Sequence, residues 1–402
     1  MEIISTNKFH NIYIKKYIPL DINIKENIYL LTIFTYYQEM ISDKYNKLGD
    51  IDDLLHKHYN IRFGVSYVLI GTKINIVYTL YAVDPKYIND RSYNLDFLYN
   101  LLEELSKPLI KNNNFDLKFI KLAKKQFQID SNDFYSSYID VAYSKAFNLF
   151  FKDTVLDYFD YPKKDELTKI SNTDVFNFYK KIKDFPSYTY VAGDVESTSF
   201  KYNIEKRDIL LTKRGITNTK VIDKAKTENT YLNIIIDVNI FSSTPKKSIS
   251  MSILNYILGE EPYSKLQEEV REKRGLCYSI SSTYEPYYGI IVISSEINNK
   301  NIEKVIDSIS IAIDNVLNGI DIEKYKKLFI AARKKSKDSI ANLVKMRFQS
   351  EFSMYSITTD ELISIINSLT IDDLKDVKNN LYNNNRLIHI YGGVINEWFN
   401  NI

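Results

Sequence analysis

Histidine, cysteine, glycine and proline are all scarce in this 402-residue chain, which has four His, one Cys, 11 Gly and 8 Pro. The single cysteine, Cys277, excludes an internal disulfide and a cysteine-built zinc knuckle, and it fits a reducing compartment. Few glycines and prolines, with 45% hydrophobic and 26% charged residues, exclude a low-complexity or disordered chain. An excess of one charge is missing as well. The 53 basic and 51 acidic residues leave a net +2 with no long basic run, so nucleic acid is not an expected partner. Apolar runs such as IYLLTIF (28–34) and YGIIVI (288–293) are far too short to cross a bilayer, and no membrane is expected. The N-terminal stretch has charges throughout and lacks the clean apolar core of a signal peptide, so the expected location is the cytoplasm. Glycine-rich phosphate loops and a G-x-S-x-G elbow are absent. The 33 tyrosines, in a chain rich in Ile, Lys and Asn, read as compositional bias rather than a sticky aromatic surface.

What is present is a repeat. The segment beginning at Ile170 matches the one beginning at Leu369 at a constant offset of 199 residues, pairing Asp174 with Asp373, Gly193 with Gly392 and Val195 with Val394. Each copy reads as a capped helix, a loop and an alternating strand that closes on Gly. Upstream, residues 71–83 alternate like a strand and are followed by helical periods at 95–105 and 115–127. The second half has a strand at 288–297 and helices at 302–317 and 322–336. This order predicts an α+β fold of two homologous domains, each a largely antiparallel sheet with helices packed on one face. The expected boundaries are 1–200, a polar linker at 201–226, and 227–402.

The stretch from Leu258 to Glu296, LGEEPYSKLQEEVREKRGLCYSISSTYEPYYGIIVISSE, carries the most information. A helix ending in VREKRG leads into the alternating CYSISSTYE and then a second strand. This segment resembles the second domain of insulinase-like (pitrilysin, inverted zinc-motif) peptidases. In that family an Arg and a Tyr seven residues apart hold substrate carbonyl oxygens opposite the zinc, and they match Arg271 and Tyr278. Guanidinium and phenol donors suit that task. Structural readings compete at this point: Arg271 can instead pair with Glu268, Glu269 or Glu272, and Tyr278 can be a core residue. Cys277 has no His near it in sequence to activate a thiolate and reads as a small hydrophobe.

The first half matches the family only in outline. The family's H-x-x-E-H, two His binding zinc and a Glu activating water, is found nowhere in the chain. Alignment by element order places it at Thr32, Thr35 and Tyr36, with the distant Glu ligand near Asp130. None of the first three is a nitrogen ligand or a carboxylate base, so no metal is expected here. His56 and His58 are expected at a helix end, and His10 and His389 as surface or packed residues. A metal site at His56 and His58 is the alternative. Acidic pairs such as Glu103 and Glu104 read as solvated faces. The resemblance implies a metal-free, Arg/Tyr-type subunit that has no catalytic residue of its own and binds substrate. Its partner would bear the zinc, in a heterodimer that cleaves small peptides, with a bacteriocin or other modified precursor peptide as the expected substrate. A structural or assembly subunit is the competing class.

Overall fold

The computed structural model describes residues 1–196, 200–211, 219–383 and 385–393. Its strands are β1 (Glu2–Ser5), β2 (Asn11–Leu20), β3 (Arg62–Ile70), β4 (Lys73–Val83), a small hairpin β5 (Ile110–Lys111) and β6 (Asn114–Phe115), β7 (Tyr188–Gly193), β8 (Thr219–Asp223), β9 (Thr230–Asp237), β10 (Cys277–Glu285), β11 (Ile290–Ile297) and β12 (Arg386–Gly392). The helices are α1 (Ile24–Met40), α2 (Asp50–Lys57), α3 (Leu95–Leu105), α4 (Leu117–Ser136), α5 (Tyr138–Phe150), α6 (Lys164–Lys169), α7 (Asn172–Ile182), α8 (Pro245–Asn255), α9 (Ile302–Asp314), α10 (Ile322–Lys335), α11 (Ile340–Phe352), α12 (Thr359–Ser368) and α13 (Ile371–Lys378). The strands and helices expected from periodicity are all present. The helix predicted over 95–105 is α3, with Leu98, Leu101, Leu102 and Leu105 buried at helical spacing.

Two five-stranded sheets are ordered β1-β7-β2-β4-β3 and β8-β12-β9-β11-β10, so the strand order repeats along with the sequence. Pairing is antiparallel except at β1/β7 and β8/β12. The repeat also recurs in its caps. Ser171 and Thr370 each accept from the backbone of an Asp three residues on, and that Asp side chain answers back, which closes a capping box at the start of α7 and of α13. At Gly392 (φ +99°) an added Cβ would lie 2.2 Å from Thr227 Oγ1, so the strand end requires glycine. Val394 lies outside the described residues.

The two compact units are not simple halves of the chain. Unit 1 comprises Met1–Asp133, Asp160–Ile209 and Lys334–Met354, and unit 2 comprises Phe134–Phe159, Leu210–Arg333 and Tyr355–Ile402. The chain changes unit near the ends of α4 and α10, so that each unit receives one helix from the other half of the sequence. In unit 1, α11 covers the second face of the sheet: Tyr17 stacks on Phe348 at 3.8 Å, whereas its opposite-facing neighbours Lys16 and Ile18 line a cavity with Phe34 and Tyr179. In unit 2, α5 does the same through Val141 and Ala142 against Tyr391, while Ile390 belongs to the large core with Leu232 and Ile309. Helices therefore fill one face of each sheet, and a single exchanged helix covers the other.

The stretch expected as a linker is partly built into the units. Ile209 is fully buried in unit 1, where its carbonyl accepts from Thr72 N at 3.0 Å and sits where a Cβ on Gly71 would be, 1.9 Å away. Residues 219–223 form β8 in unit 2. Residues 212–218 lie outside the described residues.

Candidate functional site

The segment around Arg271 and Tyr278 owes its shape to two wide helical turns and a strand irregularity. After α8, Tyr256–Glu260 and Gln267–Glu272 adopt i→i+5 hydrogen bonding, as in Glu261 N to Tyr256 O at 3.0 Å. Leu258, Leu266 and Val270 are fully buried and fix these turns on the core. Gly259 is needed because a Cβ there would lie 2.2 Å from Ser282 Oγ and 2.5 Å from Ser282 N on β10. The second wide turn stops at Gly275 (φ +59°), whose N–H donates to Arg271 O at 2.8 Å, and β10 begins two residues later.

Ion pairing within the VREKRG turn is selective. Glu269, only 7% exposed, takes Lys273 Nζ at 2.5 Å and Arg274 Nη1 at 3.5 Å. Glu268 takes Lys265 at 3.0 Å and Lys273 at 2.7 Å. Arg271 is left with its neighbour Glu272, 4.0 Å from Nε, and its side chain is 53% exposed. Of the three acids that competed for it in sequence, Glu268 and Glu269 are thus neutralised by other cations, and only Glu272 remains beside it. Tyr278 is not core either: it is 63% exposed. Cys277 pairs with Ile297 and Ser279 with Glu296, so Tyr278 is the extra residue of a β-bulge, a device that re-aims a side chain. Cys277 is half-buried; burial raises its thiol pKa, while a Ser295 hydrogen bond and the Arg271 charge pull the other way. A raised thiol pKa disfavours the thiolate, and the Arg271 charge lies within reach of the strand start.

Sequence reading named Glu269 only as a competitor for Arg271 and missed its role. Holding Lys273 and Arg274, it positions the turn and frees Arg271. Its i,i+4 spacing to Lys273 was the available signal.

In the first half, the positions aligned with the zinc motif are engaged with one another. Thr32 and Thr35, both buried, donate to Ile28 O at 2.8 Å and Thr32 O at 2.9 Å within α1. The Tyr36 hydroxyl donates to Asp130 on α4, and Gln126 Nε2 donates to the other Asp130 oxygen at 2.8 Å. Burial first, then the Asp130 carboxylate, push the Tyr36 phenol far above its ordinary value, so it stays a neutral donor. This donor set offers zinc one carboxylate and no nitrogen, and does not fit the ion. A cavity of about 640 Å³ opens beside it, bounded by Tyr36, Leu55, Phe63, Leu122 and Ile129. Among the described residues, no group of three or more His, Cys, Asp or Glu could hold a metal. His56 and His58 sit in the last turn and C-cap of α2, His58 lying 4.7 Å from the Phe97 ring. His10 packs edge-on to Tyr87, and His389 is fully buried. No described helix is long and apolar enough to cross a membrane.

Comparison with known proteins bears on the same segment. Residues 169–328 match the family model described as Peptidase M16 inactive domain. A Bacillus subtilis protein named probable inactive metalloprotease YmfF is 21% identical over 345 residues, covering 82% of this chain and 81% of that protein. A conserved protein from Enterococcus faecalis superposes with a TM-score of 0.83 at 19% identity, over 98% of this chain and 96% of the other. A peptidase M16 inactive domain from Pseudomonas fluorescens gives 0.75 at 14% identity, over 98% and 95%. The matched region contains the REKRGLCY segment on which the sequence resemblance rests, and over residues 169–328 the chain is similar to the inactive domain of the insulinase-like M16 peptidase family.

Proposed function

We propose that this chain is a non-catalytic, substrate-holding subunit that works in the cytoplasm as a heterodimer with a zinc-bearing insulinase-like peptidase. The observation that carries this reading is the selective pairing around Arg271: every other cation of the turn is bound to Glu268 or Glu269, while Arg271 and the bulged Tyr278 face solvent. Both side chains present hydrogen-bond donors seven residues apart in the chain. Arg271 supplies a fixed fork and Tyr278 a hydroxyl, which together suit the carbonyl oxygen of an extended peptide. Among the described residues, the positions aligned with the zinc motif hold one carboxylate, already taken by Tyr36 and Gln126, and no metal ligand set, so on this reading hydrolysis falls to the partner and the chain alone cleaves nothing. Small peptides are the substrate class, with a bacteriocin or other modified precursor peptide as the specific candidate.

Co-purification from the native source, followed by a peptide-cleavage assay on the separated and recombined subunits, tests this. Cleavage is expected only in the recombined pair, together with stoichiometric zinc in the partner. Cleavage by the isolated chain would sink the proposal, and zinc in this chain lost on replacing His56 or His58 would move the activity to that pair.

A further inference from the structure

Two cavities occupy the same place in the repeat. One, of about 240 Å³ in unit 1, reaches Ile182, Lys183 and Ser187, and the other, of about 190 Å³ in unit 2, reaches Leu381, Tyr382 and Arg386, each 199 residues further on. The gap is shared by the two units, but its lining is not. In unit 2, Ile234 of β9 stands beside Ile388 of β12 on the cavity wall; at the matching register of unit 1, beside Thr189 of β7, β2 places Lys16. Ile234 is 5% exposed and Lys16 only 9%, so the ammonium has lost hydration that only polar partners return. Two partners are given. Lys16 Nζ donates to Glu103 Oε2 at 2.7 Å and to Ser106 Oγ at 3.0 Å, which leaves one of its three N–H donors over. Tyr78 pairs directly with Lys16 across β4 and β2, so the two side chains are neighbours on the cavity wall. Tyr78 is 2% exposed, and its hydroxyl bonds to none of the described residues. Burial first, then Tyr179 and Glu103, push the Tyr78 phenol above its ordinary value, so it stays a neutral donor.

A buried hydroxyl without a partner, next to a spare ammonium donor, calls for an acceptor that the fold does not supply. The charge of the lining says which kind. Lys16, Lys107 and Lys183 against Glu103 leave a net +2, and still +1 when Lys183 is set against Asp184, 3.8 Å from it. Phe34, Tyr179 and Phe185 add an apolar wall. We infer that the cavity of unit 1 binds a small carboxylic acid with an apolar body, its carboxylate accepting from Lys16 and Tyr78 and its body lying against those rings. A volume of about 240 Å³ falls below the roughly 300–1,000 Å³ of sites for drug-sized ligands, which limits the occupant to a small molecule. The site does not depend on the substrate-holding reading above, and it is tested on the isolated chain without any partner.

The experiment is calorimetric titration of the isolated chain, at fixed ionic strength, with benzoate, with benzamide as its neutral counterpart, and with acetate as a carboxylate without the ring. Saturable binding of benzoate is expected, with benzamide and acetate each at least about tenfold weaker, as for loss of a charge-assisted contact or of the apolar wall. Tyr78→Phe should weaken benzoate about tenfold and leave the unfolding midpoint no lower than that of the wild type, because the hydroxyl holds nothing in the fold. Lys16→Ile gives unit 1 the residue of unit 2 and should abolish saturable binding; where that variant does not fold, Tyr78→Phe still decides. Benzamide as tight as benzoate would overturn the carboxylate, and acetate as tight as benzoate would overturn the apolar body. No saturable binding of benzoate, or binding untouched by Tyr78→Phe, overturns the site.

Discussion

The two halves of the repeat share a strand order and an exchanged helix, yet they spend their polar side chains in opposite ways. In the first half, Tyr36, Gln126 and Asp130 saturate one another, and Thr32 and Thr35 bond to their own helix. In the second, Glu269 gathers Lys273 and Arg274 and leaves Arg271 and Tyr278 to solvent. A polar group that has found its partner inside the fold adds to stability, and one left in water adds almost nothing. On the proposed reading, the first half serves architecture and the second recognition.

The largest effect that can break this comparison is on turnover. Arg271→Ala should lower cleavage by the assembled pair by roughly 10²- to 10³-fold, corresponding to about 3–4 kcal/mol of lost transition-state stabilisation. Its unfolding midpoint should stay that of the wild type, because the guanidinium holds nothing in the fold more closely than 4.0 Å. Equal activity in the variant would return Arg271 to the solvated surface and favour an assembly role for the chain. Next in size is Gly259→Ala, which drives a Cβ into Ser282 of β10 and should cost about 1–3 kcal/mol in chemical denaturation, as overpacked cores do. Gly275→Ala meets open space and carries only the left-handed backbone penalty, about 1–2 kcal/mol. A Gly259→Ala loss no larger than that of Gly275→Ala would mean that the wide turn is not seated on β10.

Much of the fold was legible because amphipathic period survives any tertiary arrangement. Helix α3 starts and stops where its Leu spacing does, and the capping boxes at Ser171 and Thr370 mark the repeat. The exchange of α5 and α11 was not legible. YIDVAYSKAFNLF has the same period whichever sheet receives it, and the crossings after Asp133 and Arg333 lie near the ends of α4 and α10, with no Pro or Gly beside them to announce them. At the site, the identity of Arg271 and Tyr278 could be read from REKRGLCY, but their exposure could not. One slipped residue at the bulge, and the choice of Lys273 and Arg274 over Arg271 by Glu269, decide it.

The closed network of the first half has its own test. Tyr36→Phe removes one donor from Asp130 and leaves Gln126 alone on that carboxylate, so a loss of about 1.5–3 kcal/mol is expected from urea denaturation, the range for a hydrogen bond to a charged group. A variant as stable as the wild type would show that Tyr36 and Asp130 are not a structural pair, and the contrast between the halves would weaken.

The smallest effect concerns how the exchanged helices are held. Unit 1 fastens α11 through Arg347 to Glu2, and unit 2 fastens α5 through Lys145 to Asp223 at 3.0 Å, with His389 Nε2 3.3 Å from the same carboxylate. Burial, only partly opposed by Asp223, holds the His389 imidazole below its ordinary value of about 6.5. The folded chain therefore keeps this ring neutral at a pH where the unfolded chain binds a proton. Its contribution is fully present above pH 6.5 and is lost as pH falls through that value towards the lower folded one, by at most about 1.4 kcal/mol per pH unit. Asp223 adds a separate loss further into acid, because Lys145 and His389 together outweigh its burial and hold it below the usual carboxylate value. Urea denaturation at pH 7.5, 6.5 and 5.5 should show the first loss in the wild type and a flatter profile in His389→Gln. The same slope in both would place the titrating group elsewhere and leave Lys145 and Asp223 alone to fasten α5.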